Sequence, residues 1–408
     1  MGDPKSTVSP KVTIRIAGGP DVGGVCTNFE WASFVNGGYI IKAKLSDNGY
    51  NFLKDTATKF YLAKGRMQET EVKFRLEWLG GDKTEERTAF MTEMRATGTN
   101  ERGYLEFIAI DPPSFYLNAG NADGRVYKGK VSQVIEQVIR DYAPGLKFEV
   151  TQTIDNPQNR WYMMRQDPKT FIKSILDWAA GVTPKKTHWV VASVDRKIII
   201  KEQAELEPQD FGIYYMNRHG HSLKDVYDFE LLTDNLVSPL QTKLITSGIS
   251  TISGEYLDKI TDQSERKVVV KDGNTGEKVN VNITPKQGFK KPEKDWATSI
   301  MSIPEHNAGD IGVPYGNYID GRARGLFLNM LNLVMRMRIR VIGDYLLHDS
   351  SKLGVSTVTI SWSDVDSEPY FLNGKWLVYG FWHRYFPSVW TTDLYLARLD
   401  YDANAKKV

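Results

Sequence analysis

The chain has 408 residues, 41% of them hydrophobic and 25% charged, a balance that suits folded domains and argues against wholesale disorder. Its 52 Lys+Arg against 50 Asp+Glu leave a net charge of +2, which is neither the basic excess of a nucleic-acid binder nor an acidic tail. The single cysteine, Cys26, excludes an internal disulfide framework and a cysteine-rich zinc module, and no apolar run approaches the roughly 20 residues that span a bilayer as a helix. Residues 1–11 are polar, carry two prolines and lack the apolar stretch of a secretory signal. Met1-Gly2 with Ser6 formally fits a short myristoylation pattern, but the segment reads as a polar tail. Aromatic residues make up 12% and fall often within alternating segments, which predicts a β-rich protein with few helices.

Strand periodicity begins at 11–17, where Val12, Ile14 and Ile16 alternate with Thr13 and Arg15. A glycine-rich break at 18–24 follows, then strands at 39–45, 71–78, 88–97 and 104–111, closed by Asp111-Pro112-Pro113. Strands this closely spaced suggest a barrel or sandwich. The period then changes. Val131, Val134, Ile135, Val138, Ile139 and Tyr142 form one helical stripe stopped by Pro144-Gly145. Asp167-Pro168 caps a second helix carrying Phe171, Ile172, Ile175, Leu176 and Ala179, ended by Gly181. A hairpin at 189–194 and 197–201 turns at Asp195-Arg196. Strand alternation resumes at 227–233. A polar stretch at 241–294 contains one hairpin, 266–271 with 278–283. Residues 325–331 could be helical and merge into a strand running to Val341. Further strands follow at 355–361, at 370–372 and 375–381 around Asn373-Gly374, and at 390–399. Trp376 and Tyr379 are expected to be core residues of the last hairpin.

These elements predict a mainly β protein with a small α+β insert: a first β unit at 1–114, the insert with two helices and a hairpin at 115–225, and a second β unit at 226–408 with the peripheral excursion at 241–294. The two β units are similar in size and style, without a close residue-level repeat.

Catalytic and cofactor patterns are largely missing. Residues 18–24 lack the Lys-Ser/Thr and the following helix of a phosphate loop. His219 and His221 offer two metal ligands without a third, and His306 follows Glu305 without the His-Glu-x-x-His spacing. Asp364, Asp366 and Glu368 lack the glycine and ligand spacing of a calcium loop. There is no Gly-x-Ser-x-Gly elbow. Cys26 would need a nearby histidine to be a nucleophile and reads as a buried small hydrophobe. Paired carboxylates for glycoside cleavage depend on a distance that sequence does not give. No catalytic, cofactor-binding or metal-binding residue is therefore assigned. One local charge motif stands out: Arg336, Arg338 and Arg340 would form a positive stripe roughly 13 Å long on one strand face. It is either a solvated outer face or an interface stripe meeting carboxylates or phosphates.

The succession of segments resembles the central baseplate hub of contractile phage tails and the hub part of type VI secretion spike proteins. The carrying segments are the helix at 129–143, QDPKTFIKSILDWAAG at 166–181 and the hairpin at 189–201, followed by Gly343-Asp344, Asn373-Gly374, His383 and the final Thr392, Leu394, Leu396, Arg398 strand. VKFRLEWLGG and MRATGTNERGYLEFIAID in the first unit also fit. The resemblance spans most of the chain, though 241–294 is not placed by it.

The resemblance implies a non-enzymatic structural protein of the virion tail baseplate, made in the host cytoplasm and needing no cofactor. It implies that the β units at 1–114 and 226–408 are two tube-like β-barrel domains, and that the chain forms a homotrimer whose six such units make a pseudo-six-fold ring. That ring would adapt the six-fold tail tube, or its initiator protein, to a three-fold central spike, beside baseplate wedge proteins. DNA and the tape-measure protein would pass through its channel without specific binding, and the chain itself would not insert into a membrane. No needle or lysozyme segment follows the second barrel, so a stand-alone hub is expected. A lumen that releases DNA should not be strongly basic, which argues mildly against Arg336, Arg338 and Arg340 lining it. Two other readings stay open: a tail-tip hub of a non-contractile phage, and a β-rich glycan-binding or glycan-cleaving protein.

Overall fold

The computed structural model describes residues 10–47, 69–77, 83–98, 102–118, 124–155, 157–179, 189–202, 205–216, 224–233, 335–343, 350–362, 372–387 and 389–398, together with the backbone of four strands between 251 and 297. The first unit contributes β1 (Lys11–Ile16), β2 (Cys26–Phe34), β3 (Gly38–Ser46), β4 (Glu71–Glu77), β5 (Arg87–Gly98) and β6 (Gly103–Ile110). The insert follows as α1 (Pro112–Asn118), β7 (Arg125–Lys128), α2 (Val131–Tyr142), β8 (Lys147–Val150), β9 (Arg160–Met163), α3 (Pro168–Leu176), β10 (Trp189–Val194) and β11 (Lys197–Glu202). Then come β12 (Asp210–Met216), β13 (Val226–Thr233), β14 (Thr251–Ile252), β15 (Arg266–Lys271), β16 (Lys278–Ile283), β17 (Trp296–Ala297), β18 (Met335–Val341), β19 (Thr357–Trp362), β20 (Gly374–Phe386) and β21 (Val389–Arg398). The mainly β fold with an α+β insert is the one expected.

Two strands missing from the sequence reading decide the architecture. β2 lies between the glycine-rich break at 18–24 and the strand expected at 39–45, where no element was expected, and β12 precedes the expected resumption at 227. Counting them, each unit has six strands. In the sheet the first unit runs β1-β4-β5-β6-β3-β2 and the second runs β12-β19-β20-β21-β18-β13. Both are therefore ordered first, fourth, fifth, sixth, third, second along the chain.

The match extends to irregularities of register. The fifth strand bulges against the sixth between Met91 and Glu93 in one unit and between Val378 and Gly380 in the other. The second strand bulges against the third between Cys26 and Asn28, and again between Val226 and Asp228. Before its bulge, the fifth strand pairs with the fourth over four residues: Arg87 to Phe90 opposite Phe74 to Glu71, and Gly374 to Leu377 opposite Ile360 to Thr357. A bulge adds one residue to one side of a ladder, so its position locks the register around it. One difference remains: β1 is antiparallel to β4, whereas β12 is parallel to β19.

Alternation drives one face of this sheet into a common apolar core. Ile14, Phe29, Trp31, Ile41, Phe74, Leu105 and Phe107 of the first unit lie in the same buried cluster as Tyr214, Met337, Ile339, Trp376, Phe381 and Leu394 of the second. Trp31 packs edge-on to both Phe74 and Phe381, with ring centroids 5.2 and 5.5 Å apart.

The insert has its own core. The stripe of α2 (Val131, Val134, Ile135, Val138, Ile139) and Phe171, Ile172 and Ile175 of α3 pack with Trp161, Ile198 and Ile200. At the start of α2, Val131 N donates to Asp155 Oδ2 at 2.9 Å and Ser132 N to Thr153 Oγ1 at 3.1 Å. Asp167 caps α3 by accepting from Thr170 N at 2.8 Å. That helix ends at Leu176, earlier than the stripe suggested, and Trp178 N and Ala179 N close a tight turn onto Ile175 O and Leu176 O. The β10–β11 turn touches the first unit: Asp195 Oδ1 accepts from Thr88 N at 2.8 Å and Arg196 Nη2 meets Glu71 Oε2 at 2.9 Å.

The polar excursion holds nested hairpins, β14 with β17 around β15 with β16, between the second and third strands of the second unit. In the last hairpin, Gly374 is already paired opposite Ile360, so Asn373-Gly374 starts β20 instead of forming a two-residue turn. Asn373 Oδ1 accepts from Trp362 N at 2.7 Å. The expected helix at 325–331 and the residues Tyr370 and Phe371 lie outside the described residues.

Trp376 is fully buried, and its Nε1 donates to Leu372 O at 2.9 Å. Tyr379 sits at the β20 bulge and is half-buried, its ring 6.1 Å from that of Tyr395. Trp376→Ala is therefore expected to lose roughly 3–5 kcal/mol of stability, measured by denaturant unfolding, with Tyr379→Ala losing distinctly less.

Candidate functional site

The two units are joined through strand edges. β20 has 13 residues. Its stretch before the bulge pairs with β19, and its stretch after the bulge pairs with β2, from Phe34 opposite Gly380 to Phe29 opposite Tyr385. The second strand of unit one thus docks on the fifth strand of unit two. The result is a 12-stranded sheet in which β5-β6-β3-β2-β20-β21-β18-β13 are antiparallel neighbours throughout.

The face of these eight strands turned away from the core carries cross-strand ion pairs, with exposed apolar side chains such as Ile40 and Leu232 among them. Arg338 and Arg340 project there, while Met337, Ile339 and Val341 between and beyond them are buried. The stripe expected from the sequence is therefore present, with its counter-charges beside it. Asp393 on β21, only 1% exposed, accepts from Arg340 Nε at 2.5 Å, from Arg340 Nη2 at 3.0 Å and from Arg384 Nη1 at 2.8 Å. Arg338 Nη2 lies 3.1 Å from Asp228 Oδ2, and its Nε lies 3.3 Å from Glu230 Oε2. The bond to Asp393 raises the pKa of Arg340 further above its ordinary value, so this guanidinium stays charged.

The same arrangement recurs in the first unit. Lys44 stands opposite Glu106 on the third and sixth strands, as Arg340 stands opposite Asp393, and Lys44 Nζ lies 2.7 Å from Glu106 Oε1. Hydrogen bonding from Lys44 holds the Glu106 carboxyl below its usual range. Lys44 falls in the strand expected at 39–45, and Arg340 in the arginine stripe. The shared strand position that makes them equivalent appears only with the register.

The edges of this sheet that have no paired strand among the described residues include those of β1 and β12, the outer edge of β13 from Phe229 onward, and β5 beyond its bulge; just before β13, Asp225 bridges to Tyr215 of β12. Both second strands carry a core-facing phenylalanine. Phe29 is 0% exposed in β2, where β20 covers it, and Phe229 is 42% exposed in β13.

The remaining sequence candidates resolve as follows. Residues 18–24 form a turn in which Asp21 Oδ1 accepts from Ile14 N at 3.0 Å and Gly23 N at 2.9 Å, tying the loop back to β1. His219, His221, His306, Asp364, Asp366 and Glu368 lie outside the described residues. Among the described residues no group of three His, Cys, Asp or Glu side chains is placed to hold a metal ion, and no helix is long and apolar enough to cross a membrane. Cys26 is buried, its thiol contacts Asn28 O at 3.2 Å, and burial pushes its pKa up to about 12.

No family model matches the sequence, and no curated protein is similar to it in sequence. Solved structures do share the fold. The 43 kDa tail protein of prophage MuSo2 from Shewanella oneidensis matches with a TM-score of 0.54 at 12% identity, over 97% of this chain and 99% of that one. A tail protein from Neisseria meningitidis MC58 matches with a TM-score of 0.55 at 10% identity, over 97% and 99%. The E. coli c3393 protein, a type VI secretion component described as structurally similar to the T4 tail proteins gp27 and gp5, matches with a TM-score of 0.50 at 9% identity, over 98% and 79%. The fold is thus that of phage tail and type VI secretion components, the group the sequence resembles.

Asp393→Ala would leave Arg340 and Arg384 without their shared anion. A loss of roughly 2–3 kcal/mol is expected by denaturant unfolding. This is below the roughly 3–5 of a fully buried pair, because these arginines keep part of their side chains in water. Cys26 should resist a thiol reagent at pH 8 in the native protein and react fully once unfolded, because a thiol titrating near 12 supplies almost no thiolate at that pH.

Proposed function

We propose that this chain is a structural hub of a phage tail baseplate, acting as a ring of three copies around an open channel. The observation that carries the reading is the duplicated six-strand unit joined edge to edge into one antiparallel sheet. Each chain offers eight contiguous strands, so three copies would supply 24 to a closed barrel. At roughly 4.8 Å between strands and a tilt of roughly 40°, such a barrel measures about 45–50 Å between opposite backbones, which leaves an open bore inside the lining side chains.

Duplication within the chain fits this role. A trimer of doubled units presents six nearly equivalent units to a six-fold tail tube or its initiator while keeping true three-fold symmetry for a central spike. Wedge proteins would meet the outer surface, and the tape-measure protein and DNA would pass through the middle. The division into 1–114, 115–225 and 226–408 goes with this reading, with β12 reaching from the insert into the second unit's sheet.

The face of the eight strands turned away from the core is our candidate for the lumen wall. Its cations Lys44, Arg338, Arg340 and Arg384 are paired with Glu106, Asp228, Glu230 and Asp393, so these four do not offer free positive charge to a phosphate backbone. The reservation about Arg336, Arg338 and Arg340 lining the lumen rested on free positive charge. With Arg338 and Arg340 ion-paired, the stripe is compatible with both the lumen and an interface between copies.

No step of this role requires turnover, and we assign no catalytic residue. Light scattering on the purified chain should give three times 46.3 kDa, and negative-stain images should show a three-fold ring with a central hole. A strictly monomeric chain that hydrolyses a polysaccharide would instead support the glycan-directed reading.

A further inference from the structure

The junction inside the chain specifies, residue by residue, a junction between chains. We infer that the free edge of β13 in one copy pairs antiparallel with β5 beyond its bulge in a second copy, with Phe229 opposite Gly98, Glu230 opposite Thr97, Leu231 opposite Ala96, Leu232 opposite Arg95 and Thr233 opposite Met94. This seam rests on the ring reading and names the surface through which the ring closes.

The register follows from superposing the two units by their own ladders. The bulges equate Cys26 with Val226 and Asn28 with Asp228, so Phe29 corresponds to Phe229, Glu30 to Glu230 and Trp31 to Leu231. The other pair of bulges equates Met91 with Val378 and Glu93 with Gly380, so Met94 corresponds to Phe381, Ala96 to His383 and Gly98 to Tyr385. Inside the chain, Phe29 pairs with Tyr385, Glu30 with Arg384 and Trp31 with His383. Carrying those pairs across the equivalences gives the register stated.

Three observations make a second copy the occupant. First, the two edges are complementary halves of a junction the chain already builds, and one molecule offers one of each. The contact is therefore head-to-tail and can close on itself. Second, the apolar side chains of β13 are poorly covered. Phe229 is 42% and Leu232 49% exposed, while Phe29 and Ala32 at the same positions of β2 are buried. Third, the register sets Glu230, whose side chain is 71% exposed, diagonally across from Arg95, within reach of an ion pair. An edge strand with exposed apolar residues and no covering element is otherwise a site of uncontrolled association.

Disulfide trapping on the full chain tests the register. Directly opposed residues in an antiparallel pair have Cα atoms about 4.5–5.5 Å apart, within disulfide range, whereas diagonal neighbours lie about 7–8 Å apart, beyond it. Glu230→Cys with Thr97→Cys in one chain should therefore oxidise to a covalent trimer on a non-reducing gel. Glu230→Cys with Arg95→Cys, displaced by two residues, should cross-link at least tenfold less. Glu30→Cys with Arg384→Cys, the equivalent pair of the internal junction, is the positive control and should form a bond within one chain. Cys26 can stay in place because it is buried. Mass measured on the same samples separates the two levels of the argument. A trimer by light scattering without the Glu230–Thr97 bond overturns the seam and leaves the ring. A chain that stays monomeric up to high micromolar concentration overturns the ring and the seam together.

Discussion

The structure depends on one constraint: a β-strand at the edge of a sheet carries a row of backbone N–H and C=O groups that must find partners. This chain meets it at its centre by pairing with itself. β2 and the far half of β20 satisfy each other, and the pairing welds two six-strand units into one sheet over a single core. The geometry is available because β20 changes partner at its bulge, pairing first with β19 and then with β2. Without the bulge a single edge would have to serve both neighbours in one register. The bulge turns the strand so that the second half presents its edge to another unit.

The sheet face turned away from the core shows how a duplicated backbone can carry different side chains with the same electrostatics. Lys44–Glu106 and Arg340–Asp393 occupy one strand position in the two units, and both are cross-strand pairs of opposite charge. Arginine in the second unit permits more than one contact per side chain. Asp393 is shared by Arg340 and Arg384, and Arg338 reaches both Asp228 and Glu230. A fork of fixed N–H donors suits a buried carboxylate better than a single ammonium does. The denser network lies at the end of the sheet where β13 has no covering strand among the described residues, and there it ties β13 to β18 and β21 through side chains as well as backbone.

What was legible in the sequence was whatever one strand or helix encodes by itself. β4 and β18 have one buried and one wet face, so their alternation is plain. The stripe of α2 and the Asp167-Pro168 start of α3 are equally local. β2 was hidden because it is a central strand: Ala32 and Ser33 are buried together with Phe29 and Trp31, so no polar alternation marks it. Its available signal was the pair Phe29 and Trp31, alternating with Asn28 and Glu30. β12 was hidden by Gly212, which takes a positive φ of 90° inside it and interrupts the pattern. The arginine stripe was visible but its meaning was not, because Asp228 lies 110 residues from Arg338 and only the β13–β18 register brings them together. Periodicity identifies the faces of strands. It does not say which edges meet, and in this protein the edges carry the function proposed.

The two junction-forming strands invite a last comparison, because they place nearly the same residues in different surroundings. Phe29-Glu30 and Phe229-Glu230 share their strand position, their bulge and their core-facing aromatic ring. One ring is enclosed and the other half-open, so the difference lies in what stands across the edge. Covering an exposed apolar side chain is worth roughly 1.5–3 kcal/mol when complete, and Phe229 and Leu232 together leave a substantial part of that gain unrealised in a single chain. A head-to-tail contact that recovers it has two possible outcomes, an endless filament or a closed ring, and the rotation added at each junction decides between them. Bulges increase local twist and bend the strand that carries them. Since they recur at matching positions in both units, the internal junction and a copy of it between chains would turn the sheet by similar amounts. A sheet that curves equally at every seam is one that can meet its own beginning.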